Sequence, residues 1–568
     1  MIKLFSITGF LFLFAVFSFG QSEFQAGEFD SPLGIPIILS GTFAELRSNH
    51  FHGGLDIKTN GKQGYKVYSA KEGFISRIKV QPGGYGHALY VEHPNGYTTV
   101  YGHLKRFNDQ IAAYVKQQQY NNQSFYVDLY LTPGQFQVQK GEIIGFSGNS
   151  GSSGGPHLHY EIRKTGGQVP INPLLYTKVR DDIKPTIYGV RVHELVNSIY
   201  HAESYTQPAN YISSGVYNLK DTVRVNHPVI GASIKAIDKL NGANNSNGYV
   251  SLKMMVDGHL TYEYAKEAMP FDKNRYLNAH IDYPEKKVGG GTYVHCFKLP
   301  GNQLSIYDPV ASDGRIWLSQ YPVRNVAISV CDFAGNESTV EFVVKYEESQ
   351  QQQPTFSGEY MRHNQYNFFN REDVSVEIPN GSLYDDIYLS YEKNETTIPK
   401  YPIYSSLHQI HNETVPLHKL MTVSVKETKL PVELRSKALL ANLDRKGRIN
   451  VNTGTWQGDM LQAKTRQFGQ FFITTDTQKP RIADHNAPSG YNYAARTHMQ
   501  FKISDNLSGI KSYTGTVDGQ WILMQYDPKR NLLYHEFDER VTKGKHTFRL
   551  TVADAVNNIT TKEFEFVR

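Results

Sequence analysis

The two histidines of His157-Leu158-His159 carry the clearest chemical signal in this chain of 568 residues. They follow a run rich in glycine and serine (148–155), and the residues after them alternate as in a β-strand. Side chains at i and i+2 of a strand share one face, about 7 Å apart at the backbone, so both imidazoles are expected side by side with Leu158 in a core. One imidazole could then bind a metal while the other acts on what the metal activates. The alternative is two solvent-facing histidines on an edge strand.

A second pair of candidate ligands is His52 and Asp56. On a straight strand they would lie about 13 Å apart, too far to share one ion. Gly53-Gly54 between them predicts a bend, because glycine tolerates the φ angles of a tight reversal. Together with one histidine of the first pair, they would supply two imidazoles and a carboxylate, the set that zinc uses in hydrolytic sites. His50 is the alternative ligand, but the carboxylate four residues after His52 favours His52.

Other titratable residues have a role that is less defined. His103 lies on a predicted strand and adds another imidazole. Glu161 shares the face of the first pair and is either a partner that orients an imidazole or a solvated strand residue. Arg47 either meets a substrate carboxylate or is a surface arginine. His87 and His93 are expected to belong to an ordinary hairpin.

Composition predicts several globular domains rich in strands and turns. The length exceeds what one core supports and suggests three to five domains. Charged residues are 20% and aromatic residues 12%, with 38 Tyr, 47 Gly and 25 Pro, which favours a folded β-rich chain over a disordered one. The net charge of +5 comes without a basic block or stripe, so no nucleic-acid partner is expected.

The N-terminus has the pattern of a signal peptide over residues 1–20. A short positive start precedes the apolar run 4–19, and small residues precede Gln21. The run is short for a membrane span and no later segment is apolar enough, so the mature chain is expected to be exported and soluble, without a transmembrane segment. A retained N-terminal anchor is the alternative. Cys296 and Cys331 either pair with each other or remain free thiols.

The predicted fold class is mainly β, with one catalytic β domain followed by about three β-sandwich domains. Strands are expected at 65–70, 73–80, 87–93, 97–103 and 142–147. Residues 108–134 interrupt this series of short strands, and their sequence predicts an inserted helix or long loop. A linker is expected at 350–354. The predicted domains are 21–176, 177–347, 355–477 and 478–568.

Two segments of the later chain resemble each other. Each begins with Lys-Pro, at Lys184 and at Lys479, and each ends with a hairpin turn of the form Asp-x-x-(Gly/Asn)-Asn, at Asp332 and at Asp554. Such turns are common in bacterial immunoglobulin-like (Ig-like) sandwiches, which both segments resemble. The segment between them has no motif that we can name.

Residues 44–176 resemble the lysostaphin/LytM-type metallopeptidases of the M23 family, which act on peptidoglycan. The resemblance rests on five ordered motifs within about 130 residues, which makes a chance match negligible. The motifs are His52-Gly-Gly-Leu-Asp56, Gly83-Gly-Tyr-Gly86, Tyr101-Gly-His-Leu104, Gly141-Glu-Ile-Ile-Gly145 and His157-Leu-His-Tyr-Glu161.

This resemblance implies an antiparallel LytM-type fold and an exported zinc endopeptidase that cuts stem peptides or cross-bridges of peptidoglycan. It implies that His52, Asp56 and His159 hold Zn²⁺ and that His103 and His157 serve catalysis, without saying which is the general base.

Two rival functions remain: a non-catalytic LytM-fold regulator or scaffold of other wall hydrolases, and a surface-binding protein dominated by its sandwich modules. Those modules are expected to position the enzyme, hold another cell-envelope protein or recognise wall polymers. The insertion at 108–134 is expected to form one side of the substrate groove of the predicted peptidase domain, or to cover that groove. The periplasm is the expected location, with surface display or secretion as alternatives.

Overall fold

The computed structural model describes residues 27–177, 179–308, 311–348, 356–395, 398 and 400–568. Strands account for 46% of the residues and helices for 9%, which confirms the mainly-β fold class. Within these described ranges, no helix is both long and apolar enough to cross a membrane. The predicted signal peptide (1–20) and linker (350–354) lie outside the described residues.

The N-terminal domain is built on a nine-stranded sheet with a three-stranded sheet beside it. The large sheet has the order β1-β2-β11-β6-β5-β4-β8, with β12 beside β11 and β9 beside β4, and the small sheet has the order β3-β10-β7. The elements are β1 (Leu39–Gly41), β2 (Leu55–Lys58), β3 (Lys66–Tyr68), β4 (Gly73–Val80), β5 (His87–Glu92), β6 (Tyr97–Leu104), β7 (Arg106–Phe107), α1 (Asp109–Asn121), β8 (Val127–Tyr130), β9 (Gln137–Val138), β10 (Ile143–Phe146), β11 (His157–Lys164) and β12 (Val169–Ile171).

Strand β11 lies between β2 and β6 and is antiparallel to both. Its alternate residues Leu158, Tyr160 and Ile162 are at most 1% exposed and enter the core of this domain. Because strand side chains alternate, the residues between them share the opposite face. The burial of one face therefore fixes the direction of both histidines of β11.

The segment 108–134 forms a helix followed by a strand. The side chain of Asn108 caps α1 by accepting from the N–H of Ile111 at 3.0 Å, and Asp109 lies in the first turn, where the helix dipole favours an acid. Strand β8 then pairs with the edge strand β4, so the insertion extends the main sheet.

The second domain consists of two sheets that share one core. One has the order β14-β13-β18-β21 with β22 beside β18, and the other β15-β16-β24-β23-β19-β20 with β17 beside β24. The elements are β13 (Thr186–Glu194), β14 (Ser204–Pro208), β15 (Asn210–Ser213), β16 (Val216–Asn218), β17 (Val223–Val225), β18 (Val229–Ile237), β19 (Ser251–Val256), β20 (His259–Ala265), α2 (Leu277–His280), α3 (Tyr283–Val288), β21 (Val294–His295), β22 (Ile316–Trp317), β23 (Val323–Cys331) and β24 (Glu337–Tyr346).

The third domain has two five-stranded sheets and a two-stranded sheet. Their orders are β26-β27-β31-β35-β34, β29-β30-β36-β32-β33 and β25-β28. The strands are β25 (Glu359–Met361), β26 (Asn367–Arg371), β27 (Val374–Ile378), β28 (Ile387–Leu389), β29 (Tyr391–Asn394), β30 (Leu407–Ile410), β31 (Met421–Lys426), β32 (Ala438–Leu443), β33 (Ile449–Thr453), β34 (Thr455–Gln457), β35 (Met460–Thr465) and β36 (Gly469–Thr475).

The fourth domain has two four-stranded sheets, β37-β38-β42-β41 and β40-β39-β43-β44, over one core. The strands are β37 (Arg481–Asp484), β38 (His498–Ser504), β39 (Ile510–Val517), β40 (Gln520–Ile522), β41 (Gln525–Asp527), β42 (Leu532–Glu536), β43 (Lys545–Asp554) and β44 (Ile559–Val567). Short 3-10 turns complete the fold at Gly166–Gln168, Pro173–Leu175, Ile199–His201, Phe271–Tyr276, Ala311–Gly314, Val432–Lys437 and Ser489–Tyr491.

The fourth domain packs on the N-terminal domain through α1. Asp538 Oδ2 lies 2.9 Å from Lys116 Nζ and accepts from the hydroxyl of Tyr120 at 2.7 Å. The side chain of Leu523 joins the core of the N-terminal domain. Lys529 Nζ donates to the backbone carbonyl of Ser153 at 3.1 Å, and Asn149 also accepts from it, at 2.5 Å. The helix of the insertion is therefore a docking element for the end of the chain.

Candidate metal centre

Three side chains from two distant parts of the N-terminal domain, residues 52–56 and strand β11, converge on one point. His52 Nε2 lies 3.1 Å from His159 Nδ1, and Asp56 Oδ1 lies 3.0 Å from each of these two nitrogen atoms. All three residues are at least nine-tenths buried, with exposures of 6%, 3% and 8% for His52, His159 and Asp56. Two imidazole nitrogens and one carboxylate oxygen thus form a compact donor set.

The pairing of β2 with β11 creates this convergence. His159 is directly opposite Asp56 in the register. His52 reaches the same point through Gly53 and Gly54, but the predicted reason for these glycines is wrong, since neither has a positive φ. They are needed for close approach: a Cβ on Gly54 would lie 2.2 Å from the carbonyl oxygen of Tyr160.

The second nitrogen of each ligand imidazole has its own acceptor. His52 Nδ1 lies 2.8 Å from the carbonyl oxygen of Thr42, and His159 Nε2 lies 2.7 Å from Glu161 Oε1. When these nitrogens carry the ring protons, the converging nitrogens of neutral rings present lone pairs. Two lone pairs and a carboxylate that face each other attract positive charge, and this set of nitrogen and oxygen donors fits a divalent metal such as zinc.

Glu161 belongs to a buried polar network behind His159. It is fully buried, accepts from Arg163 Nε at 2.6 Å and from the hydroxyl of Tyr85 at 2.5 Å. Burial raises the pKa of Glu161, but Arg163 and His159 outweigh it and lower that pKa to about 2. Burial lowers the pKa of His159, yet hydrogen bonds to Asp56 and Glu161 raise it to about 9. Glu161 is therefore an ionised orienting partner, which resolves the two interpretations of this residue.

Arg47 fixes the other oxygen of the carboxylate ligand. Its Nη2 donates to Asp56 Oδ2 at 2.8 Å, which leaves Oδ1 for the cluster. A Cβ on Gly41 would lie 2.4 Å from the same Nη2, so glycine makes room for this contact. The arginine supports Asp56 in this structure and is one-third exposed at its side chain.

A β-bulge turns His103 toward the centre. The register of β5 with β6 shifts between His87 and Leu89, and His103 has a left-handed φ of 58°. Tyr101 and Leu104 both enter the core, although residues three apart on a regular strand point to opposite faces. The extra residue reverses the alternation and puts the imidazole of His103 beside that of His157, with ring centroids 4.8 Å apart.

Both of these imidazoles are oriented by backbone carbonyls. His103 Nδ1 lies 2.8 Å from the oxygen of Ser150, and His157 Nδ1 lies 2.8 Å from the oxygen of Gly155. His157 Nε2 lies 3.3 Å from Asp56 Oδ1, at the edge of the donor set. Burial, together with the neighbouring His159 and His157, lowers the pKa of His103 to about 3. His103 is therefore neutral at neutral pH, and with Nδ1 on a carbonyl its Nε2 carries the lone pair.

The remaining candidates lie away from the centre. His50 is exposed and contacts Asn49, not the donor set. His93 is buried between the carbonyl of Glu72 and the hydroxyl of Thr99, as expected of a structural histidine. The ring of His87 packs near Phe107 and Phe125. Cys296 and Cys331 are free thiols.

Sequence reasoning missed Tyr85 and Arg163. Tyr85 stacks on His159, with ring centroids 5.0 Å apart, in addition to its hydrogen bond to Glu161. Arg163 is 4% exposed and continues the i, i+2 pattern of His157, His159 and Glu161 along β11. That period was the signal that could have found it.

Comparison with known proteins gives two family matches. The model for peptidase family M23 matches residues 50–173, and the model for a Zu5-like domain matches residues 358–476. Over 129 residues the chain is 35% identical to DD-carboxypeptidase/endopeptidase Mpg of Neisseria meningitidis serogroup B, which covers 23% of each protein. Over 111 residues it is 31% identical to peptidoglycan DD-endopeptidase ShyA of Vibrio cholerae serotype O1, which covers 20% of each.

The solved structures that match include the catalytic domain of lysostaphin from Staphylococcus simulans. The identity is 21% and the TM-score 0.18, over 24% of this chain and 86% of that one. The present chain spans between a fifth and a quarter of the length of the curated relatives above. The matched region contains every member of the donor set. Residues 50–173 of this chain form a domain of peptidase family M23.

Proposed function

We propose that this chain is an exported zinc endopeptidase that hydrolyses peptide bonds in the stem peptides or cross-bridges of peptidoglycan. The observation that carries the proposal is the donor set of His52, Asp56 and His159, with its atoms 3.0–3.1 Å apart. Two further imidazoles, His103 and His157, lie beside it. The printed names of the relatives, a DD-carboxypeptidase/endopeptidase and a peptidoglycan DD-endopeptidase, support the substrate class.

The side chains of the centre divide the work between binding and proton transfer. A zinc ion held by His52, Asp56 and His159 would supply a Lewis acid that lowers the pKa of a water and polarises the scissile carbonyl. His103 and His157 each keep Nδ1 on a backbone carbonyl. Their Nε2 atoms are thereby left to take a proton from the attacking water and return one to the leaving amine.

The test combines metal analysis with digestion of purified muropeptides. We expect one zinc per chain and loss of bound zinc in His52→Ala. We expect His103→Ala and His157→Ala to retain zinc but to lose about 100- to 10,000-fold in turnover, the range of general acid–base catalysis. Purified wild type that binds no zinc, or that leaves cross-linked muropeptides intact in the presence of zinc, would refute the proposal.

The same variants separate the enzyme from a non-catalytic scaffold. A scaffold needs the fold but no proton transfer, so His157→Ala would keep full function in cells. An enzyme loses that function although the protein is folded and exported. The complete donor set and both spare imidazoles favour the enzyme.

A further inference from the structure

A second cluster of acidic residues lies where the N-terminal domain meets the second domain. Asp181, Asp238 and Asp332 each offer a carboxylate oxygen, and these atoms lie within 4.8 Å of one another. Their exposures are 9%, 1% and 3%, so all three carboxylates are withdrawn from solvent. Three buried carboxylates at this separation repel one another strongly unless a cation or protons compensate them.

Two of these carboxylates have an oxygen with no partner. Asp238 Oδ1 and Asp181 Oδ2 are buried and accept no hydrogen bond from any residue that the structure describes. Within the same described ranges, none of the three aspartates forms an ion pair with a lysine, arginine or histidine. Burial, reinforced by Asp332 and Asp181, raises the pKa of Asp238 to about 8. An uncompensated buried oxygen pointing into such a cluster indicates a missing ligand.

The chain contains an internal comparison for this cluster. The second of the two segments that begin with Lys-Pro has an equivalent triad, between the third and fourth domains. In both triads one asparagine side chain donates to the backbone carbonyl of the first aspartate and to the carboxylate of the third. The two sets are Asp181, Asp332 and Asn336, and Asp476, Asp554 and Asn558. The position of Asp238 is taken there by Asp505.

The equivalent triad differs in how its carboxylates are satisfied. Both oxygens of Asp476 accept backbone N–H groups, from Gln478 at 3.2 Å and from Ser508 at 2.9 Å. In the first triad, and among the residues that the structure describes, Asp181 Oδ1 accepts from the N–H of Ile183 at 3.1 Å and Oδ2 accepts no hydrogen bond. Asp505 is also less buried than Asp238. Within the described part of the chain, Asp505 Oδ1 also has no hydrogen-bond partner, but its Oδ2 accepts from the N–H groups of Leu507 at 3.1 Å and Gly509 at 2.8 Å. The carboxylates of the second triad are therefore satisfied more fully than those of the first.

We propose that Asp181, Asp238 and Asp332 bind one calcium ion that joins the second domain to the peptidase domain. Carboxylate oxygens without nitrogen or sulfur donors suit a hard cation, and calcium accepts irregular sets of oxygen ligands more readily than magnesium does. The loops that carry the triad lie on the peptidase domain: Leu240 is part of its core and Phe333 packs against it.

The experiment is calorimetric titration of the zinc-loaded full-length chain with calcium. We expect one calcium ion per chain with a Kd at or below about 1 mM, the upper range for extracellular calcium modules, and magnesium at least about tenfold weaker. Asp238→Asn should weaken calcium binding at least about tenfold. The matched variant Asp505→Asn, at the equivalent position of the other triad, should bind calcium like the wild type.

Thermal unfolding provides a readout that does not depend on a binding heat. Calcium should raise the Tm of the wild type and of Asp505→Asn, by about 5 °C near a hundredfold excess over Kd, but not that of Asp238→Asn. In calcium-free buffer Asp238→Asn should be at least as stable as the wild type, because it removes a buried carboxyl group that folding must either protonate or leave uncompensated. Wild type that shows neither heat nor a Tm shift up to about 10 mM calcium overturns the proposal, as does equal binding by Asp238→Asn.

Discussion

The hydrogen bond between Glu161 and His159 offers the sharpest test of how the centre is built. In Glu161→Gln the amide can accept the proton of His159 Nε2, but its NH₂ group then faces Arg163 Nε, which now lies 2.6 Å from the carboxylate. The side-chain amide of the variant can therefore satisfy His159 or Arg163, but not both. The lost charge-assisted hydrogen bond is worth about 1.5–3 kcal/mol, or roughly 10- to 100-fold in zinc affinity.

The assay is competition for zinc with a chromogenic chelator, followed by muropeptide hydrolysis at saturating zinc. We expect Glu161→Gln to bind zinc 10- to 100-fold more weakly, in line with about the same loss for other orienting partners of metal ligands, and to recover much of its turnover at saturating zinc. Arg163→Met is the matched control, since it breaks the same buried pair but leaves Glu161 on His159. It should lose stability, by about 3–5 kcal/mol, and keep its zinc affinity. Folded Glu161→Gln with wild-type zinc affinity would refute the reasoning.

Three further perturbations probe the surroundings of the centre. Lys529→Ala removes the two hydrogen bonds to the loop 149–153. We expect the free energy of unfolding to fall by about 1 kcal/mol and kcat to fall while the zinc content stays the same. An unchanged kcat would contradict this prediction. Gly102→Ala places a Cβ 3.3 Å from that of His159, so turnover should fall about tenfold or more, and a variant as active as the wild type would show that the strand adapts. Lys266 is 2% exposed among aromatic rings, and burial lowers its pKa to about 7. Because the unfolded chain holds that proton up to its ordinary pKa, wild-type stability should rise between pH 7 and 9 by about 2 kcal/mol more than that of Lys266→Met, and parallel pH profiles in chemical denaturation would exclude this.

Part of the ligand set follows from the two-residue period of a strand, which a sequence displays. The alternation of β11 puts both of its histidines and Glu161 on one face. The same alternation includes Arg163, which was not predicted as part of the site. The position of Asp56 opposite His159 could not be predicted from this period, because the pairing of two strands that are distant in sequence is a tertiary property. The family resemblance implied the ligand set without that pairing, and the structure brings the same residues together.

The position of His103 could not be read from alternation. On a regular strand it would share the face of Tyr101, which is in the core, and it would then be a buried structural histidine. The bulge and the left-handed backbone at His103 reverse that face, and nothing in its sequence spacing marks an extra residue. The contact of Arg47 with Asp56 is likewise a matter of tertiary packing, since it depends on the space left by Gly41.

The later domains complete the N-terminal domain at several points around the centre. Phe271 of the second domain lies over the guanidinium of Arg163, 4.6 Å from the ring centroid, and so covers the network that orients His159. On another side, Lys529 of the fourth domain holds the loop whose carbonyls orient the two spare imidazoles. The ligands and their partners lie in the N-terminal domain, whereas these two contacts come from two other domains, so the surroundings of the centre depend on how the domains dock as well as on the M23 fold.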